Sequence, residues 1–213
     1  MRARDFILAN TRLLPVPLVP EIMLHLAEES LPIWQKTEEE LEARNIPPPY
    51  WAFAWAGGQA LARYLLDHAS LVAGGHVLDL GSGSGLAAIA AAKAGAAAVK
   101  AAEIDAFAIA AITLNAEANG VTVITIERDL LAAAPASAEV VLVGDLFYER
   151  ALAERTLAYC EQARARQALV LVGDPQRSYF PRDRFEPLAE YAVPVSRELE
   201  DAEIKHTAVW RLA

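Results

Sequence analysis

From residue 76 onward the sequence alternates short β-type apolar runs with helical segments, and this alternation constrains the fold more than any other feature. His76–Leu80, Val99–Glu103, Val121–Ile126, Val140–Val143 and Ala168–Val172 read as strands. Leu86–Ala94, Ala106–Ala118 and roughly Arg150–Ala165 read as helices, the first stopped by Gly95. Strands joined by helices are parallel neighbours, and the helices then cover both faces of the sheet. A last helix near Arg184–Tyr191 leads to Val193–Leu199 and Lys205–Leu212, two strands close enough to pair as a hairpin. The pattern predicts an α/β fold: a doubly wound, Rossmann-like sheet of seven strands, mostly parallel, with the last strand antiparallel.

Composition narrows the class. Over 213 residues, 54% are hydrophobic and 22% charged, which excludes a disordered chain. The net charge of −9 argues against nucleic acid as partner. A lone Cys160 excludes an internal disulfide, and His25, His68, His76 and His206 lack metal-ligand spacing, so no metal is expected. The alanine-rich run Ala87–Ala118 reads as helix packed closely on the sheet.

Residues 1–70 read as a short, helical N-terminal extension packed on the core, and 71–213 as the main domain of the same unit. Thr37-Glu38-Glu39-Glu40 fits a capping box, which predicts a helix over Glu38–Arg44. Pro47-Pro48-Pro49 forces an extended approach to Tyr50–Trp55, and Gly58–His68 reads as a helix. No signal-type apolar region follows Met1-Arg2-Ala3-Arg4-Asp5, and no apolar run is long enough for a membrane span. The expected location is the bacterial cytoplasm, or the mitochondrial matrix in a eukaryote, with no membrane partner.

The densest chemical signal is Val77-Leu78-Asp79-Leu80-Gly81-Ser82-Gly83-Ser84-Gly85, at a strand-to-helix junction. Gly81, Gly83 and Gly85 let the backbone approach a ligand, and the helix N-terminus adds a favourable dipole. The spacing is G-x-G-x-G, not G-x-G-x-x-G, because Leu86 follows. Asp79 inside the turn would oppose a pyrophosphate but suits a ligand carrying an ammonium and a sulfonium. Glu103, at the end of the second strand, can accept from both hydroxyls of a ribose, in S-adenosylmethionine as well as in NAD; it could equally be a solvated strand-end acid. Ile104 is placed to lie against an adenine, and Asp105 to cap the next helix. Asp129 after the third strand is either an acceptor for an adenine amine, with Leu130 on the ring, or a loop acid.

Gly144–Glu149 follows the fourth strand, at the sheet edge that lines the ligand crevice in open α/β folds. There Asp145 could orient or help deprotonate an amine, and Phe147 and Tyr148 could cage it; aromatic packing beneath a loop is the alternative. Trp51, Phe53 and Trp55 are either a core segment or a lid. Gly173-Asp174-Pro175-Gln176-Arg177 is either a turn or a wall of the substrate site.

These motifs resemble the class I, seven-strand S-adenosylmethionine-dependent methyltransferases, and most closely the electron transfer flavoprotein beta-subunit lysine methyltransferase family. The resemblance rests on Asn10–Ile22, Pro49-Tyr50-Trp51-Ala52, Trp55–Leu61, Val77–Gly85, Glu103-Ile104-Asp105, Ile112–Asn115, Gly144–Tyr148 and Gly173-Asp174-Pro175. It implies transfer of methyl groups from S-adenosylmethionine to lysines of a protein, the electron transfer flavoprotein beta subunit. It implies a catalytic role for Asp145 and Tyr148. Trp55, Asp79, Gly81, Ser82, Gly83, Gly85, Glu103, Ile104, Asp129 and Leu130 fall where the cofactor binds, and Trp51, Phe147 and Asp174 where the substrate would lie. Ala56 departs from the proline of the relatives' Trp-Pro-Gly-Gly stretch, and Glu103 from their frequent Asp. The competing readings are methylation of another protein, such as a ribosomal protein, of a small amine or of nucleic acid, and a non-catalytic binding module. Leu146 and Phe147 depart from the Asp-Pro-Pro-Tyr pattern of nucleic-acid amino-methyltransferases.

Overall fold

The computed structural model describes residues 3–27, 48–135, 137–196 and 202–213. It opens with helix α1 (Ala3–Asn10) and an antiparallel hairpin, β1 (Arg12–Val16) and β2 (Val19–Leu26). Helix α2 (Ala56–Asp67) precedes the main sheet. Then follow β3 (His76–Leu80), α3 (Leu86–Lys93), β4 (Ala98–Glu103), α4 (Ala106–Ala118), β5 (Ile124–Glu127), β6 (Val140–Gly144), α5 (Arg150–Ala165) and β7 (Leu169–Asp174). The chain closes with β8 (Phe185–Pro194) and β9 (Ile204–Leu212).

The seven-stranded sheet has the order β5-β4-β3-β6-β7-β9-β8. Strands β3 to β7 pair in parallel, and β9 runs antiparallel to both β7 and β8. Chain order reverses direction between β3 and β6, so the ligand crevice of an open α/β sheet falls beyond their carboxyl ends. Both faces are buried, and the strands split their side chains accordingly. On β6, Leu142 joins the core shared with Leu61, Leu65 and Ile89, while Val141 and Val143 join Phe147, Tyr159 and Cys160. In α3, Ala88, Ala90 and Ala91 are fully buried, and their small side chains let the helix sit close to the sheet.

One predicted element is wrong. Arg184–Tyr191 is not a helix but most of β8. Pro187 removes a backbone donor that a helix interior requires, whereas an edge strand can leave that position unpaired. The register shifts between Pro187 and Ala189, a bulge on the outermost strand. The hairpin with β9 forms as expected from sequence, but β8 starts earlier than Val193. The β1–β2 hairpin has no counterpart in the sequence reading, because Pro15, Pro17 and Pro20 look like breakers. It is held from α4: Asn115 Oδ1 accepts from His25 N–H at 2.7 Å, and Asn119 bonds both N–H and C=O of Met23. The helix expected over Glu38–Arg44 lies outside the described residues.

Candidate active site

The turn after β3 is built by its own side chains and glycines. Gly81, Gly83 and Gly85 all have positive φ, at 64°, 53° and 85°. The Gly81 and Ser82 amides donate to the Ala102 carbonyl, tying the turn to β4. Asp79 lies beneath, only 2% exposed, and accepts from Ser82 Oγ at 2.5 Å and from Ala88 N–H at 3.1 Å. Burial raises its carboxyl from 3.8 to about 6. Asn115 Nδ2 donates to Ser84 O at 2.8 Å, so one buried asparagine joins the turn, α4 and the hairpin.

A cavity of about 550 Å³ opens at the carboxyl ends of β3, β4 and β6. The structure brings to it Trp51, Trp55, Gly81, Gly83, Glu103, Ile104, Asp129, Leu130, Asp145 and Tyr148. Beside Gly83 there is open space where a β-carbon would stand. The Glu103 carboxylate accepts from Gly83 N–H at 3.0 Å and from its own neighbour's amide, Ile104 N–H, at 2.7 Å. Those bonds fix the carboxylate at the cavity wall with lone pairs to spare. Ile104 is 71% exposed, a large apolar side chain left open beside that acid. Asp129 accepts from Leu131 N–H and pairs with Arg155, which also lines the cavity. Asp105 caps α4 through Phe107 N–H, as its position predicts.

Five expected site residues stand outside the lining. Asp79, Ser82 and Gly85 build the turn from within; Gly85, at the start of α3, has Ile112 of α4 where a β-carbon would point. Phe147 is fully buried and packs edge-on against Phe180 and Phe185, so it is a core ring and not a cage wall. Asp174 is also fully buried, and its Oδ1 accepts from Arg177 N–H. Burial, with Asp145 nearby, raises its carboxyl from 3.8 to about 7.

At the other end of the cavity Asp145 has φ 57°, a left-handed conformation that Asp tolerates better than most residues. Its Oδ2 accepts from Gly58 N–H in the first turn of α2, and its Oδ1 from Arg177 Nε and Nη2 at 2.9 and 2.7 Å. The Arg177 guanidinium lies 5.6 Å from the Trp55 ring centre. Tyr50 stands within 6.2 Å of both Trp55 and Tyr148, centre to centre, and burial raises the Tyr148 phenol above its ordinary value. Tyr50 was not singled out as a site residue from sequence, and Arg177 entered only as the last residue of the Gly173–Arg177 stretch read as a turn or a substrate wall, with no role of its own. The signal was present in both cases: an aromatic next to Trp51, and a cation closing the Gly-Asp-Pro turn.

The seven-stranded sheet order, with the glycine turn after β3 and an acid at the end of β4, is that of a class I methyltransferase fold. The ribosomal protein L11 methyltransferase (PrmA) family model matches residues 59–145. A magnesium protoporphyrin IX methyltransferase from Synechocystis PCC 6803, solved with bound SAM, superimposes with a TM-score of 0.54 at 15% identity, covering 73% of this chain and 78% of that one. The electron transfer flavoprotein beta subunit lysine methyltransferase of Xenopus laevis is 37% identical over 97% of this chain and 85% of its own length. The Danio rerio protein of the same description is 38% identical over 98% of this chain and 82% of its own. The chain belongs to the electron transfer flavoprotein beta subunit lysine methyltransferase family.

Proposed function

We propose that this protein transfers methyl groups from S-adenosylmethionine to lysine side chains of the electron transfer flavoprotein beta subunit. The observation that carries the reading is one cavity with two unlike ends. The Gly83–Glu103 end offers a close backbone approach beside a carboxylate, which suits a ribose diol and an amino-acid moiety. The Asp145–Tyr148 end offers a carboxylate among aromatic rings, which suits an amine. When bound, S-adenosylmethionine supplies an electrophilic methyl group on a sulfonium. Glu103 holds the ribose hydroxyls, and Ile104 and Leu130 cover apolar ring surface. Asp129 stands near them as an acceptor. Asp145 orients the incoming lysine nitrogen, and the Tyr148 ring walls its path. Alignment of nitrogen, methyl and sulfur is then the largest contribution the residues make to the rate.

The test is mass spectrometry of the flavoprotein beta subunit after incubation with S-adenosylmethionine, with and without this protein. Methyl increments on lysine residues are expected only with both. Labelled cofactor that instead marks a ribosomal protein, an RNA or a small amine would remove the assignment.

A further inference from the structure

Asp145 confronts lysine methylation with a difficulty. A lone carboxylate beside the target nitrogen attracts an ammonium and holds its proton, yet the ammonium has no lone pair with which to attack. In this structure Asp145 is not alone. Arg177 bonds its Oδ1 through both Nε and Nη2, and the two side chains are only 17% and 10% exposed. We propose that Arg177 is a positioning residue that neutralises Asp145, so that the target lysine is received as the free amine. The inference rests on the lysine-methyltransferase reading above.

The geometry supports a fixed pair. Arg177 is anchored by its backbone N–H to Asp174 Oδ1, and its guanidinium packs over Trp55. Asp145 is anchored by Gly58 N–H on its second oxygen. An arginine stays charged at every working pH, and its fork geometry suits an immobile pair. Among the described residues, Asp174 from the end of β7 interacts electrostatically with both Asp145 and Arg177, and Tyr148 from the loop after β6 interacts with Arg177 and, on its other side, with Tyr50, Glu149 and the more distant Glu103. Arg177 offsets the charge of Asp174 as well as that of Asp145. Without it, an incoming lysine would meet uncompensated carboxylates and keep its proton. With it, the lysine nitrogen meets a neutral pair and aromatic walls, which favour the neutral amine. The proton then leaves to solvent. The nitrogen lone pair forms the N–C bond as the C–S bond breaks, and the positive charge ends on the methylated nitrogen.

The experiment is the pH dependence of kcat at saturating flavoprotein subunit, which reports ionisation in the bound complex. Wild type should show a midpoint at least one unit below the ordinary lysine value of about 10.4. Arg177→Gln should move that midpoint up by about one unit or more, a loss of about tenfold at neutral pH that is recovered in alkali. Arg177→Lys, which keeps the charge, should stay near wild type in midpoint. A uniform loss in Arg177→Gln with an unmoved midpoint would make Arg177 merely structural and overturn the proposal. A faster neutral-pH rate with a lower KM would also overturn it, because Arg177 would then be a placeholder that the substrate displaces. If Arg177→Gln does not fold, a wild-type midpoint at the ordinary lysine value would still overturn it. Failure of wild type to methylate the subunit at all would instead sink the underlying function.

Discussion

Gly57 and Gly173 meet backbone to backbone: a β-carbon on Gly57 would stand 2.1 Å from the Gly173 carbonyl oxygen, and one on Gly173 would stand 2.0 Å from the Gly57 carbonyl oxygen. This contact seats the first turn of α2 against the end of β7. It brings Gly58 N–H within reach of Asp145 and sets Asp145 N–H on Gly173 O. The site therefore depends on the absence of two side chains.

Either Gly57→Ala or Gly173→Ala should push helix and strand apart. The obstructing atoms are backbone, so the cost should reach or exceed the upper end of the ~1–3 kcal/mol range for overpacking. Gly58→Ala is the control, since its nearest neighbour would be a Leu86 methyl at 3.8 Å. Thermal unfolding should show a large drop for the first two and little change for the third. Equal behaviour of all three would mean that the close approach does not hold the fold.

Glu103→Ala should weaken S-adenosylmethionine binding by about 1.5–3 kcal/mol, the range for hydrogen bonds to a charged group. Isothermal calorimetry gives the number directly. The variant also frees Gly83 N–H and Ile104 N–H, which become open to water at the cavity wall, so folding should suffer less than affinity. An unchanged dissociation constant would show that the carboxylate serves only to shape the turn.

The buried carboxyl of Asp174 ties stability to pH. Its value rises from 3.8 to about 7 on folding, mainly through burial, with the Asp145 charge adding. The folded state thus holds this proton more tightly than the unfolded state. The group's contribution to stability falls as pH climbs from about 4 to 7, by up to about 1.4 kcal/mol per unit. Asp174→Asn removes that slope and can still accept the Arg177 amide. The difference in unfolding midpoint between variant and wild type should shift in favour of the variant from pH 5 to pH 8. Parallel pH curves would show that Asp174 ionises normally in the fold.

The sheet was legible in sequence because its central strands, β3, β6 and β7, are buried on both faces and its helices are bounded by glycine or capping residues such as Asp105. Glu103, Asp145 and Tyr148 were legible because strand ends are fixed by the alternation itself. What sequence hid were matters of direction. Phe147 and Tyr148 are adjacent, and only the turn's geometry decides that Phe147 enters the aromatic core while Tyr148 faces the cavity. Asp79 and Asp174 carry the charge of site residues but lie beneath the surface, holding backbone amides. Arg184–Tyr191 reads as a helix until the edge of the sheet claims the segment around Pro187. The β1–β2 hairpin depends on Asn115 and Asn119, about a hundred residues away, and no local pattern announces such partners.

Asp145 is best tested by asparagine. Asp145→Ala would leave the half-buried Arg177 without its carboxylate, and removing one member of such a pair destabilises strongly. It would also force alanine into the left-handed backbone at φ 57°, which Asn tolerates. Asp145→Asn keeps the shape, the backbone and one carbonyl oxygen, and removes only the charge. Its amide can bond either Gly58 N–H or Arg177 through that oxygen, but not both as well as a carboxylate does. The lysine nitrogen would then be less well placed, and the uncompensated Arg177 would repel any ammonium that approached. Methylation should fall by about two orders of magnitude or more, because misplacement of a nucleophile by an ångström costs on that scale. S-adenosylmethionine affinity should stay within a few-fold, since Glu103 and the glycine turn lie at the other end of the cavity. Tyr148→Phe should lose less, because the ring remains. Single-turnover rates with cofactor binding measured in parallel separate the two effects. Near-wild-type turnover in Asp145→Asn would show that the carboxylate is a structural cap on α2 and takes no part in positioning the substrate.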